Sequence, residues 1–271
     1  MSRPSTGRVA LAGISLLAIS LAFPAAARAQ AQPVDGWRFT VGAGAYYVPD
    51  YPGSDDYKVA PIPMLRIQKD QLYLEADGPG IRANVVPHDR FELGPVLRYG
   101  GGRDDVEDSA VDRLPDVDDE FSLGVFAAYQ LPGILDQRDS LRFEVEAVEA
   151  VSGDNGLVAK AGVEYGRRAT ERLSFGIGVS TSYVDGDYAD TYFSISNAGA
   201  AASGLSVYDA GSGVRDVTLM VSGRFAVTQR IGVGAMAGVS RLLGDAADSP
   251  VVEDRGDDTP LFGGAFVTYS F

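Results

Sequence analysis

Cysteine is absent from the 271 residues, and histidine and tryptophan each occur once. Without cysteine there are no disulfide frameworks and no thiolate metal sites. A lipid-anchored export route that modifies a Cys at the cleavage site is excluded as well. The single histidine, His88, rules out the usual zinc ligand sets, and a Ser-His-Asp hydrolase would have to use it. It stands between Pro87 and Asp89 in an expected turn and reads as an exposed turn residue. Positive charge is scarce: 23 Lys and Arg against 37 Asp and Glu give a formal net charge of −14. That balance argues against phosphate-backbone contact, so nucleic acid is not an expected partner. Long apolar runs are missing beyond the N-terminal stretch, which leaves no candidate transmembrane helix in the remainder.

The N-terminal stretch itself has the layout of an export signal. Arg3 and Arg8 give a positive start, Val9 to Phe23 is almost wholly apolar, and Ala27-Arg28-Ala29 supplies the small-x-small pattern of a cleavage site. The expected division is a signal peptide over 1–29 and one domain over 30–271. Cuts after Ala27 or Ala31 fit nearly as well, and a retained helix is the alternative.

What the rest of the chain has in abundance is alternation. In Leu173 to Tyr183 the odd positions are Leu, Phe, Ile, Val, Thr and Tyr, while the even ones are Ser or Gly. Successive strand residues point to opposite faces, so this is a ribbon with one oily side and one small, polar side. Twelve such segments are expected, at about 37–48, 57–68, 71–77, 79–87, 90–101, 119–131, 140–151, 157–168, 172–184, 215–227, 230–243 and 260–271. The third and fourth, split by Asp77-Gly78-Pro79-Gly80, are short, and ten strands is the alternative. Short links follow the even strands and longer acidic loops (49–56, 102–118, 185–214, 244–259) follow most odd ones, the asymmetry of bacterial outer-membrane barrels. Aromatics sit near strand ends on the oily phase (Trp37, Tyr47, Phe91, Tyr99, Phe121, Tyr129), as at bilayer interfaces. The fold class expected is therefore all-β, an antiparallel transmembrane β-barrel with both termini on the short-turn, periplasmic side. A soluble sandwich burying the same oily face is the competing reading.

On the opposite phase lie Arg38, Lys58, Arg66, Glu92, Arg98, Arg142, Glu144, Glu146, Lys160, Glu164 and Arg224. Facing lipid, a central Arg or Lys costs roughly 2–4 kcal/mol, so these should line the lumen. They read either as a closed network of ion pairs or as the lining of a selective conduit. Two acidic loop clusters, Asp104, Asp105, Glu107 and Asp108 with Asp116, Asp118, Asp119 and Glu120, and Glu253, Asp254, Asp257 and Asp258, read as solvated surface. Cation bridging to lipopolysaccharide is the alternative; none has EF-hand spacing, and no metal or other cofactor is expected. The long link from Asp185 to Arg215 carries Tyr188, Tyr192, Phe193 and Tyr208. It is a lid folded into the mouth, an adhesive surface, or a mobile loop with a strand extension at 190–196.

Several segments resemble the MipA/OmpV family of outer-membrane proteins: PDYPGSDDYKVAPIPML at 49–65, GPGIRANVV at 78–86, DRFELGPVLRYGGGRDD at 89–105, YFSIS at 192–196, SGLSVYDAG at 203–211 and RLLGDAADSPVV at 241–252. The resemblance implies an outer-membrane protein whose founding member is a scaffold joining a lytic transglycosylase to a bifunctional penicillin-binding protein. Other members are treated as antigens, adhesins or solute routes, and no catalytic residues come with the family. The last strand, with Phe271, Tyr269, Val267 and Ala265 in phase, resembles the signal by which barrels reach the outer-membrane insertion machinery. The expected function is thus a non-enzymatic, monomeric scaffold of the cell envelope, with a narrow channel for small solutes as the alternative.

Overall fold

A computed structural model describes residues 36–76, 78–152 and 156–271. The expected export segment over 1–29 lies outside the described residues. These form twelve antiparallel strands: β1 (Trp37–Pro49), β2 (Tyr57–Lys69), β3 (Leu72–Ala76), β4 (Gly80–Asn84), β5 (Phe91–Gly100), β6 (Glu120–Pro132), β7 (Asp139–Ala150), β8 (Leu157–Arg168), β9 (Leu173–Val184), β10 (Gly213–Ala226), β11 (Ile231–Leu242) and β12 (Leu261–Ser270). Each pairs with its neighbours in sequence, and β1 closes on β12 with Thr40 opposite Ser270 and Tyr47 opposite Gly263. The sheet is a closed barrel of twelve strands rather than ten.

Alternation sets the two faces. Val125 is 57% exposed and Val145 55%, while Phe126 and Val96 on the other phase are 1% exposed. Along every strand the outward positions are apolar through the middle, and charge appears there only near strand ends, as at Lys69, Glu149, Arg167 and Arg241. A water-soluble sandwich would bury this face; here it encircles the outside, as lipid contact requires. Proline follows the same logic. Pro61 and Pro63 lie in the part of β2 whose ladder partner is β1 alone, because β2 pairs with β3 only over Arg66–Lys69. A residue without an N–H fits a stretch where one ladder is missing.

Inward glycines make room for rings. A methyl group on Gly234 would stand 2.2 Å from Phe266 Cζ, and one on Gly264 would stand 2.3 Å from Tyr46 Cδ1. Aromatics from adjacent strands therefore lie flat over glycine backbone, which lets the interior fill without pushing the strands apart.

The short-turn rim is capped by its own side chains. Thr170 Oγ1 accepts from the N–H groups of Arg172 and Leu173 (3.2 and 3.0 Å), and Thr228 Oγ1 from those of Arg230 and Ile231 (3.1 and 2.9 Å). His88 does the same work: its Nδ1 accepts from Arg90 and Phe91 N–H at 3.1 and 3.0 Å. Such local bonds hold a tight turn when no ladder is available. Asn84 adds four more, donating to Gln71 and Val86 carbonyls and accepting from Val86 and Leu93 N–H, and so staples the end of the β3–β4 hairpin to β5.

Candidate functional site

Two regions are built for something other than spanning the bilayer: the lumen and the cap over its long-loop mouth. The cap comes from the four long loops. Between β9 and β10 run two helices, α1 (Gly186–Phe193) and α2 (Asn197–Ser203), and between β11 and β12 run α3 (Gly244–Asp248) and α4 (Pro250–Glu253). Each start has a local cause. Asp185 accepts from Tyr188 N–H at 3.0 Å, Ser196 from Gly199 N–H at 3.1 Å, and Ser249 from Val251 N–H at 3.3 Å with Pro250 following. These are N-caps that satisfy otherwise orphaned donors. Gly204, at φ 84°, ends α2 in the left-handed region.

The cap turns its apolar side down into the barrel. Tyr188, Tyr192, Phe193, Val251 and Val252 are all at most 4% exposed. Polar ties lock the loops to one another and to the wall. Arg215 donates to Tyr188 Oη at 2.7 Å and to its neighbour Asp216 at 2.8 Å. Arg103 donates to the Tyr192 carbonyl at 2.9 Å, and Ser249 Oγ to the Phe193 carbonyl at 2.6 Å. Arg113 reaches the Ala202 and Ser203 carbonyls at the end of α2, at 2.8 and 3.0 Å. Arg255 pairs with Asp108, and Asp257 N–H donates to the Gly53 carbonyl at 2.8 Å. Burial raises the phenols of Tyr188 and Tyr192, and that of Tyr51 is pushed up to about 12, chiefly by burial. All three stay neutral near neutral pH, and Tyr188 Oη accepts the bond from Arg215.

The link from 185 is thus a lid folded into the mouth, one of the expected outcomes. The strand extension at 190–196 is corrected: Asp190 to Phe193 complete α1, and only Ile195 makes a bridge, to Tyr208. A run of Gly, Ala, Asp and Tyr has no period-2 signal, and its helix depends on the Asp185 cap and on burial of the three rings.

Beneath the cap the lumen has three sectors. From β1, β2, β11 and β12 come Tyr46, Ile62, Met236 and Phe262, with Met64 and Met220 against them. From β2 to β7 comes an ion-pair network. Glu75 is held by Arg66 and by Arg82 Nε at 2.8 Å, and Arg82 also reaches Glu144 at 3.1 Å. Arg142 holds Glu144 at 2.7 Å and Glu92 at 2.9 Å, and Tyr73 Oη donates to Glu92 at 2.7 Å. Arg98, fully buried, grips both oxygens of Glu146 at 2.9 and 2.5 Å. Charges this deep persist only when paired in this way. The third sector, from β8 to β10, carries small residues such as Gly162, Gly178 and Ser180, which together with Arg142, Glu144 and Lys160 line an open pocket of about 70 Å³.

Of the expected lumen charges, Arg66, Glu92, Arg98, Arg142, Glu144 and Glu146 meet in the network. Lys160 stands opposite Glu146 in register, and Glu164 lines the open pocket. Arg224 donates to Thr268 Oγ1 at 3.2 Å, and Arg38 is half-buried near the short-turn end of β1. Lys58 sits at the opposite end, paired with Asp50 at 2.9 Å, so it belongs to the rim. Glu75 and Arg82 were not foreseen. They lie on five-residue strands too short for a convincing pattern, although Leu72 and Leu74 alternate around Tyr73 and Glu75.

The acidic loops serve as structural anchors at several points. Asp108 accepts from Ala110 and Val111 N–H, both at 2.9 Å, and Asp119 from Tyr99 Oη at 2.6 Å and Gly102 N–H at 3.0 Å. Glu120 is buried on the inward face of β6 rather than in the loop. No group of three or more Asp, Glu or His among the described residues is gathered as a metal site. At the last strand Val267 and Phe271 face outward and are exposed, and the Tyr269 ring meets Phe271 edge-on at 5.0 Å.

Comparison with known proteins bears on this geometry at the level of family. The family described as MltA-interacting protein MipA matches residues 41–271. Among curated proteins none matches. Similar solved structures include the NanC porin (9% identity, TM-score 0.43, covering 85% of this chain and 98% of that one). Others are an outer membrane channel from Pseudomonas putida F1 (12%, 0.49, 89% and 97%) and the channel DcaP of Acinetobacter baumannii (12%, 0.36, 87% and 96%). The barrel assignment rests on the strand pairing above.

Proposed function

This outer-membrane chain belongs to the MltA-interacting protein MipA family, and from that membership we propose a closed, non-enzymatic structural barrel that serves as a scaffold for murein enzymes. The observation that carries the closed reading is the cap. Tyr188, Tyr192, Phe193 and Val252 fill the long-loop mouth, and the ion pairs of Arg82, Arg98 and Arg142 tie β4, β5 and β7 together on the lumen side of the wall beneath it. A barrel that spends its interior on paired charges and packed rings has stability rather than passage as its design.

Scaffolding is supported by the family description, which names interaction with MltA. In the orientation with long loops outside, the surface open to such partners is the short-turn rim, where Arg90, Arg138, Arg172 and Arg230 are exposed. A lytic transglycosylase and a penicillin-binding protein are the proposed partners. The in-phase outward residues Val267, Tyr269 and Phe271 support a role as the recognition signal for the insertion machinery.

The test is retention of a lytic transglycosylase by the immobilised, detergent-purified barrel. Binding should weaken when Arg90, Arg138, Arg172 and Arg230 are all changed to Ser. Failure of the wild type to retain the enzyme would remove the scaffold reading. A narrow solute route is the second reading, favoured by the side-chain-poor sector of β8 to β10; discrete single-channel steps from the wild type would establish it instead.

A further inference from the structure

The exposed cations differ between the two ends of the barrel. At the long-loop end Arg113, Arg241 and Arg255 are exposed and each is tied down, Arg113 to the Ala202 and Ser203 carbonyls, Arg241 to Asp258 and Arg255 to Asp108. At the short-turn end Lys69, Arg90, Arg138, Arg172 and Arg230 are exposed, and none of the five is ion-paired among the described residues. In a chain with 37 acids against 23 bases, composition does not account for an unneutralised basic rim.

Two of these cations lie against rings on the lipid-facing side. Lys69 Nζ stands 5.4 Å from the ring centroid of Trp37, its register partner, and Trp37 stacks with Phe39 at 6.5 Å. Arg230 Nη1 donates to Tyr269 Oη at 3.2 Å, and the Tyr269 ring meets Phe271 at 5.0 Å. Phe271 N–H donates to the Phe39 carbonyl at 2.9 Å, which joins the two ring pairs across the closing seam of the barrel. Exposed rings at the end of a lipid-facing strand mark the headgroup level of the bilayer. We propose that the short-turn edge of β2, β1, β12 and β11 is a binding surface for anionic phospholipid of the leaflet it borders, with Lys69 and Arg230 receiving the headgroup phosphates and Trp37, Phe39, Tyr269 and Phe271 forming the platform for the glycerol and upper acyl chains.

The arrangement selects a lipid over a dissolved anion. Lys69 and Arg230 lie three strand intervals apart, roughly 14 Å at the usual spacing, so each meets its own headgroup rather than both clamping one ion. The rings between them are exposed, Trp37 at 42%, Phe39 at 40% and Phe271 at 56%, and an apolar platform adds nothing to the binding of inorganic phosphate. A Lys or Arg at an anionic membrane surface favours the charged lipid by a factor of about five. Arg90, Arg138 and Arg172 make no ring contact among the described residues and stay available to periplasmic partners. The lipid surface stands whether or not the scaffold reading does.

Trp37, the single tryptophan, reports on this surface directly. Barrel refolded into phosphatidylcholine vesicles receives rising fractions of lipid with brominated acyl chains, as phosphatidylglycerol or as phosphatidylcholine, and quenching of Trp37 gives their relative affinity. Phosphatidylglycerol should be favoured about fivefold or more. Lys69→Gln combined with Arg230→Gln should bring the two lipids to equality, whereas Arg241→Gln at the opposite end should leave the preference unchanged. Heat-modifiable gel migration verifies that the variants are folded. Equal quenching by the two lipids in the wild type, or an undiminished preference in the folded double variant, would overturn the site. Loss of the preference on adding millimolar inorganic phosphate would overturn it in favour of an ion site. An undiminished preference accompanied by reduced co-sedimentation with murein would assign the two cations to that polymer instead.

Discussion

Arg98 and Glu146 illustrate what one residue can do in this interior. The guanidinium is fully buried and its partner nearly so, so the pair has lost its water and the bidentate ion pair replaces much of it. Removing one member leaves a stranded charge, and Arg98→Met should destabilise the barrel by about 3–5 kcal/mol. Adding Glu146→Leu removes the stranded charge, and the double variant should recover most of that loss. Urea unfolding in lipid vesicles, followed by the fluorescence of Trp37, the single tryptophan, measures both. A double variant no more stable than the single one would mean that Glu146 is not the main partner of Arg98. The opposite face answers to a different solvent. Val125, in the middle of β6 and outward, should cost roughly 2–4 kcal/mol when changed to Arg. A smaller effect in the same assay would argue that this face does not meet lipid.

At the scale of elements, the strands were legible and the cap was not, for a physical reason. A strand between lipid and lumen must alternate along its length, so Leu173 to Tyr183 declares its faces without reference to any neighbour. The helices α1 to α4 are four to eight residues long, too short to be stable or periodic alone; they exist because rings are buried and loops are tied. The lumen was legible to the extent that its charges lay on long strands. Glu75 and Arg82 escaped because β3 offers only two inward positions and β4 only three. The tie between Asp108 and Arg255 shows how the cap responds to pH. Burial opposes ionisation of Asp108, but the bonds from Arg255 and from Val111 and Ala110 N–H outweigh it and hold its carboxyl below the ordinary value. A depressed native pKa means that the stabilisation is complete above the unfolded value of about 3.9 and is lost as pH falls through the native one. Amide exchange, corrected for its intrinsic pH dependence, should therefore accelerate at Val111 to Leu114 and at Asp254 to Gly256 on acidification into that window. In Asp108→Asn these amides should already be fast at neutral pH, with little further change. Equal protection in the variant and the wild type would show that the loops are held by packing alone.

For the molecule as a whole, the question is which of two plugs matters more. The cap and the ion-pair network each obstruct the same lumen, and they fail differently. The network is anchored on five strands, β2 to β5 and β7, so loosening it costs barrel stability. The cap hangs from loops and is fastened to the wall by Arg215, whose guanidinium joins Tyr188 Oη to Asp216. Wild-type barrel in a planar bilayer should accordingly be silent. Shortening the β9–β10 loop by replacing Gly186–Ser203 with a short Gly-Ser linker removes α1 and α2 and with them the buried Tyr188, Tyr192 and Phe193. If the cap is the main seal, this variant should pass small ions in discrete steps, along the side-chain-poor flank of β8 to β10. Adding Gly178→Val on that flank should reduce the step size. If the ionic network seals the lumen by itself, the shortened variant should remain as silent as the parent, and the cap is then a surface structure that serves the exposed face. Steps from the unmodified protein would defeat both accounts at once, because a lumen that conducts with its cap in place is not closed.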